Sequence, residues 1–154
     1  MEAQKILSAE TCEIFHSEYF SHANEPMITF NPARNLVYVN AACLKHFPDM
    51  DYVQFLIFPT EKKLGLRPCG MIMRDAVRLR SAGKSRQKPR HITCSEFMCR
   101  IIELMQWNSD YRYRLPGNVA ACNDETIIAF DLASAEKFRL RYNKNIRTEY
   151  GIYD

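Results

Sequence analysis

Apolar positions along this chain follow two rhythms, and the switches between them mark its elements. Ile6, Leu7, Ile14, Phe15, Tyr19 and Phe20 recur at roughly helical spacing between Glu10, Glu13 and Glu18. That pattern predicts a helical N-terminal segment over 1–26, ended by Asn24 and Pro26. Two-residue alternation then takes over. Met27–Phe30 and Leu36–Val39 read as strands around the turn NPARN, and Asn40 is placed to cap a short helix carrying Cys43, Leu44 and Phe47 on one face. Pro48 stops that helix. Tyr52–Phe58 is apolar on both faces, with Val53, Phe55 and Ile57 on one and Tyr52, Leu56 and Phe58 on the other. Such a strand is covered on both sides or pairs with another chain. After a turn at Phe58-Pro59-Thr60-Glu61, Lys63–Arg67 returns with Leu64 and Leu66 inward, completing a first β-α-β-β unit over 27–70.

The same order recurs over 92–135. His91–Thr93 is strand-like, and Thr93-x-x-Glu96 has the form of a capping box opening a helix near 94–107, with Asn108 at its end. Tyr111, Tyr113 and Leu115 alternate with Arg112 and Arg114. Pro116-Gly117-Asn118 and Asn123-Asp124 are turn chemistry, and Thr126–Leu132 closes a hairpin with Ile128, Phe130 and Leu132 on one face. The expected fold is therefore α+β, two tandem β-α-β-β units packed as one domain about a pseudo-two-fold axis. A saddle like that of the TATA-binding protein is the alternative arrangement. One unit of this size cannot bury enough surface alone, whereas two can cover each other. The segment 136–154 is expected to begin as a helix and continue as a tail.

Charge changes this picture more than bulk composition does. The chain has 154 residues, 47% of them hydrophobic and 25% charged, with a net charge of +3. Residues 71–91 connect the two units, and RDAVRLRSAGKSRQKPR within them (74–90) carries +6, which leaves the rest of the chain net negative. Val77 and Leu79 alternating with Arg78 and Arg80 predict an edge strand with one basic face, and SAGKSRQKPR reads as an exposed loop without regular structure. No apolar run approaches the ~18–20 residues of a membrane span, and the first thirty residues lack a signal-peptide core, so no membrane partner and a cytoplasmic location are expected. The six cysteines form no C-x-x-C pair and read as free thiols. Cys94 and Cys99, five apart on a helix, diverge around its axis and make a poor metal pair, so no metal is expected.

The phrases EKKLGLRPC and ITCSEFMCRIIELMQWNSDYRYRLPG resemble an uncharacterised bacterial family of prophages and integrative elements, often labelled "integrase". The resemblance covers about 28–132. It implies a role in a mobile element, but not recombinase chemistry. His16, His22, His46 and His91 are followed three residues later by Tyr19, Glu25, Asp49 and Cys94, so the His-x-x-Arg of a tyrosine recombinase is missing. The stretch LVYVNAACLKHFPDMDYVQFLIFPTEKKLGLRP also looks like the strand-helix-hairpin unit of AbrB-like regulators, which bind DNA as swapped-hairpin dimers. That likeness implies a pseudo-dimer within one chain.

These readings converge on a DNA-binding regulator or accessory factor of a mobile element. Lys84, Arg86, Lys88 and Arg90 would contact phosphates, with Arg74, Arg78 and Arg80 extending the surface. Arg112 and Arg114, interleaved with tyrosines, make a second candidate surface. A solvated loop and a solvated sheet face are the bland readings of the two. The alternative function is a protein–protein adaptor, homodimeric through the two-faced strand Tyr52–Phe58. Only five glycines, without G-x-G-x-x-G or a P-loop, argue against a nucleotide cofactor. No nucleophile–base signature or small-molecule site stands out, so no enzyme activity and no cofactor are expected.

Overall fold

The structure, a computed structural model, describes residues 6–14, 25–140 and 151–153. It is a mixed α+β fold in which a curled antiparallel sheet dominates. The strands are β1 (Met27–Asn31), β2 (Leu36–Val39), β3 (Tyr52–Phe58), β4 (Lys63–Cys69), β5 (Val77–Arg78), β6 (Ile92–Thr93), β7 (Arg112–Cys122), β8 (Glu125–Asp131), β9 (Glu136–Leu140) and β10 (Gly151–Tyr153). The α-helices are α1 (Ala41–Leu44) and α2 (Ser95–Met105). Strands run in the spatial order β5-β3-β4-β8-β7-β1-β2-β6, while β9 pairs with β7 and with β10. The ends of this order are tied together. Beyond β5 the chain turns back on itself through a bridge between Arg80 and Pro89 and a 2.8 Å bond from Arg90 N–H to the Leu79 carbonyl, and then enters β6.

Pairing between the halves of the chain is reciprocal. β2 lies antiparallel to β6 through Val37 opposite Ile92, and β4 lies antiparallel to β8 with Gly65 opposite Ala129. β1 adds to β7, with Ile28 opposite Leu115, and β5 adds to β3, with Val77 opposite Val53.

The curl encloses one core. Ile28, Phe30, Val37, Val39, Leu64, Leu66, Leu115, Ile128 and Phe130 are inaccessible or nearly so, each contributing about 1.5–3 kcal/mol by leaving water. Phe97 of α2 lies 6.3 Å from Phe30 on β1 and 5.3 Å from Phe55 on β3, ring centre to ring centre. Those two strands are separated in the sheet by β4, β8 and β7, so the helix bridges the concave side. Trp107, just past α2, stacks on Tyr113 at 4.1 Å and meets Phe30 edge-on.

Local chemistry explains most boundaries. Asn40 Oδ1 accepts from the Cys43 N–H at 3.3 Å and from the Met27 N–H at 3.0 Å, so one side chain caps α1 and fixes the start of β1. Asn123 and Asp124 both adopt positive φ, as a two-residue hairpin turn requires. Both faces of β3 are used within the chain: Val53 is buried inside, while on the outer face Phe58 and Ile127 close over Gly65, where a Cβ would sit 3.2 and 3.1 Å from them.

Several expectations are corrected. Within the predicted N-terminal helix, residues 6–14 hold a single 3-10 turn (Ala9–Thr11) with Ile6, Leu7 and Ile14 exposed; Phe15, Tyr19 and Phe20 lie outside the described residues. Pro116-Gly117 is not a turn but the middle of an 11-residue strand. Gly117 N–H bonds the Pro26 carbonyl at 2.8 Å, so alternation turns the Pro116 nitrogen to the other edge. There β8 pairs up to Gly117 and β9 resumes at Arg114, leaving a gap where no N–H is needed. The cap of α2 is Cys94, not Thr93, without a side-chain cap bond, and the helix ends at Gln106 in the left-handed region. After Leu132 the chain makes a 3-10 turn and then a strand, β9, instead of a helix.

Candidate nucleic-acid interface

The basic connection is an ordered hairpin. Ser81 N–H bonds the Lys88 carbonyl at 2.9 Å, Lys88 N–H bonds the Ser85 carbonyl at 2.8 Å, and Gly83–Ser85 forms a 3-10 turn at its tip. Gly83 holds φ +61, a left-handed conformation that glycine adopts without a Cβ penalty. The expected unstructured loop is thus replaced by a short projection from the end of β5.

Arg80 holds this projection to the body of the protein. It is only 2% exposed. Its Nη2 donates to the carbonyls of Leu44 (2.7 Å) and Phe47 (2.9 Å), its Nη1 to Arg86 (3.1 Å) and its Nε to Met50 (3.2 Å). The carboxylate of Asp51 lies 3.8 Å from Arg80 Nε and 2.8 Å from Arg86 Nη2. Burial, together with the like charge of Arg86, pulls the Arg80 pKa down, opposed by Asp51 and Asp49; an arginine stays charged nonetheless. The expected basic face on this edge is therefore corrected: Leu79 and Arg80 are both buried, and Arg80 fastens the hairpin to α1 and cannot reach a phosphate.

The other predicted cations divide into groups. Lys84, Lys88 and Arg90 are exposed on the hairpin, and Arg90 Nη1 also donates to the Arg78 carbonyl at 3.3 Å. Arg86 is partly engaged with Asp51 and the Pro48 carbonyl. Arg78, on β5, donates to the Arg80 carbonyl at 3.0 Å. Arg74 is 95% exposed on the preceding loop, 3.6 Å from Asp75, and its carbonyl accepts from Gln54 Nε2. The structure thus brings Arg78, Arg80, Arg86 and Arg90 together, with Lys84 and Lys88 at the tip.

Arg112 and Arg114 belong elsewhere. Their strand, β7, is separated from β5 by β8, β4 and β3. Arg114 pairs with Glu136 at 3.3 Å and lies over the Phe138 ring at 5.6 Å. The pattern reading missed a third cationic group nearby. Lys137 and Arg139 each lie 4.6 Å from the Tyr111 ring, and Arg139 Nη2 donates to its hydroxyl at 2.6 Å. Its signal was the alternation of Lys137 and Arg139 around Phe138, hidden once that segment was read as helical.

Among the described residues no helix is long and apolar enough to cross a membrane, and no group of three or more His, Cys, Asp or Glu side chains could hold a metal. A cleft of about 430 Å³ lined by Glu25, Pro26, His46 and Pro116–Val119 is open to solvent and offers one carboxylate and one imidazole. Comparison with protein-family models, with curated proteins and with solved structures returned no match.

Proposed function

We propose that this chain is a DNA-binding regulator or accessory factor, built as a pseudo-dimer of two strand-helix-hairpin units, that grips phosphates with the hairpin 79–90. The observation that carries the reading is the fixation of that hairpin. A buried arginine anchors its base, which holds Lys84, Lys88 and Arg90 outward in a defined geometry. Pre-ordered cations lose less conformational freedom on meeting a phosphate backbone than a floppy basic loop does.

Reciprocal strand pairing supports the pseudo-two-fold arrangement. An axis through the Val37–Ile92 and Gly65–Ala129 pairs would relate β1 to β5, β3 to β7 and α1 to α2. It would carry Val53 onto Leu115 and Cys43 onto Met98, all of them buried. β1 crosses to β7 of the second unit, and β5 of the connection crosses to β3 of the first, an exchange like that of the swapped hairpins of AbrB-like proteins, which favours that arrangement over a saddle. The two turns that such an axis would relate differ greatly. Pro32–Arg34 joins β1 to β2 tightly, whereas the β5–β6 connection is the long basic hairpin. Phosphate contact is then one-sided, and one chain engages one stretch of duplex. The resemblance to proteins of prophages and integrative elements supports the mobile-element setting.

The test is fluorescence anisotropy of labelled duplex DNA over a salt series. Log affinity should fall with log salt at roughly 0.9 per phosphate contact, and the Lys84→Ala/Lys88→Ala/Arg90→Ala variant should lose about two to three units of that slope. A variant with an unaltered slope would remove the hairpin from the interface.

A further inference from the structure

The loop between β4 and β5 carries three consecutive uncovered apolar side chains. Met71, Ile72 and Met73 are 68%, 96% and 54% exposed. Burying three such side chains would stabilise a complex by several kcal/mol, at about 1.5–3 kcal/mol each, so a chain that holds them in water is presenting them to something. They stand on a defined turn. Met73 N–H bonds the Gly70 carbonyl at 3.1 Å, Ala76 N–H bonds the Met73 carbonyl at 3.3 Å, and Asp75 takes a left-handed φ of 61. Gln54 on β3 donates 2.6 Å to the Arg74 carbonyl and accepts from Arg67 Nε at 2.8 Å, which pins the loop to the sheet.

The charge around this tip is positive. Arg74 immediately follows it, 95% exposed and 3.6 Å from the one nearby acid, Asp75, Arg78 lies on the next strand, and Arg90 bonds the Arg78 carbonyl, so three cations face one carboxylate. A narrow apolar tip on a cationic edge fits a partner that offers phosphates on the outside and flat apolar surface between them. Stacked base pairs do so, and Met and Ile side chains are among those that wedge between base steps from the minor groove.

We infer that Met71, Ile72 and Met73 form a wedge that enters the minor groove and partly unstacks one base step while the 79–90 hairpin holds the adjacent phosphates. This rests on the DNA-binding reading and adds that the bound duplex is deformed. Wedging costs least at flexible pyrimidine–purine steps, so the chain should select DNA by deformability, without bidentate base contacts.

The test uses the full chain and two short duplexes of equal length, one rich in TA steps with 2-aminopurine at a central step and one an A-tract. The native chain should prefer the TA-rich duplex several-fold and raise 2-aminopurine fluorescence on binding. The Met71→Ser/Ile72→Ser/Met73→Ser variant should lose both effects and keep its salt slope. Because these side chains are exposed, Trp107 emission should report unchanged folding. Salt-dependent binding without a fluorescence rise, or a rise that survives in the variant, overturns the wedge and leaves the DNA reading intact. Absence of salt-dependent binding overturns both. Loop-dependent binding to phosphatidylserine vesicles without unstacking assigns the tip to a lipid surface and also overturns the wedge.

Discussion

Arg80 Nη2 sits 2.7 Å from the carbonyl oxygen of Leu44, a residue 36 positions earlier and the last of α1. The contact joins the two parts of the chain that local sequence logic treats as most independent, a four-residue helix and a basic connection. The end of a helix leaves carbonyls without partners, and a planar guanidinium can satisfy several at once. Here it also takes the Phe47, Met50 and Arg86 carbonyls. Arg80→Met keeps most of the stem volume but deletes these charge-assisted bonds, each worth about 1.5–3 kcal/mol, while the Leu44 and Phe47 carbonyls keep the N–H groups of Phe47 and Met50 as partners. We expect a loss of about 3 kcal/mol or more, read from the guanidinium chloride midpoint of Trp107 fluorescence. Arg80→Lys should recover only part of it, since an ammonium cannot fork. Equal midpoints for Arg80→Met and the native chain would show that these bonds do not hold α1.

Gly117 yields a sharper contrast. A Cβ there would lie 2.6 Å from Phe130 Cε1 and 2.7 Å from Ile128 Cγ2, both part of fully buried side chains. Overpacking of this kind costs about 1–3 kcal/mol. Gly117→Ala should therefore lower the melting temperature clearly. Gly70→Ala, with nothing within 4 Å of the new methyl, should leave it unchanged or slightly raised. A reversed order in thermal denaturation would contradict the packing of β7 on β8.

The strands whose bounds survived from pattern to structure are β-prone apolar runs bracketed by chemically marked turns. β3 is bounded as expected at Tyr52 and Phe58, and β2 at Leu36 and Val39. Failures occurred where a local signal was true but overruled. Pro116-Gly117 is turn chemistry, yet a partner strand on one edge and a gap on the other let the strand continue. Arg80 carries the same charge as its neighbours, and only the tertiary position of Leu44 and Phe47 sets it apart. The candidate surface was legible as charge, while its division into hairpin tip, buried anchor and the separate Arg112–Arg114 group was not. Charge counts carry no information on depth.

Thiol chemistry follows burial. Cys12 and Cys99 are exposed, whereas Cys43 and Cys69 are buried. Burial pushes the Cys43 thiol up to about 12, against the lowering bonds from Met27 and Asn40. A disulfide-exchange reagent at neutral pH should label Cys12 and Cys99 quickly and Cys43 only on unfolding. The same shift gives an alkaline signature. Above the unfolded value near 9.0 the unfolded chain loses this proton while the folded chain keeps it, so stability falls with rising pH up to about 12. The slope from this one group is at most about 1.4 kcal/mol per pH unit. Cys69 shifts in the same direction, so Cys43→Ala should flatten the decline between pH 9 and 10.5 without abolishing it. An identical pH dependence in the variant would place the thiol in contact with water.

The last prediction separates the charge of the hairpin from its order. Asp51 forms an ion pair with Arg86 at 2.8 Å with both groups about a third exposed, so the pair is worth only about 0.5–1 kcal/mol. Asp51→Asn removes that attraction and weakens the hold of Arg80 while raising the net charge by one. Local opening of the hairpin should rise about two- to five-fold for that energy, measurable as faster tryptic cleavage after Lys84, Arg86 or Lys88 under conditions where the core stays intact. DNA affinity then distinguishes two physical pictures. If net charge alone drives binding, the variant binds more tightly at low salt. If a pre-ordered hairpin matters, affinity falls despite the added charge, because the ordering that Asp51 supplied must now occur on binding. The structure, with its buried anchor at Arg80 and its paired Arg86, leads us to expect the fall.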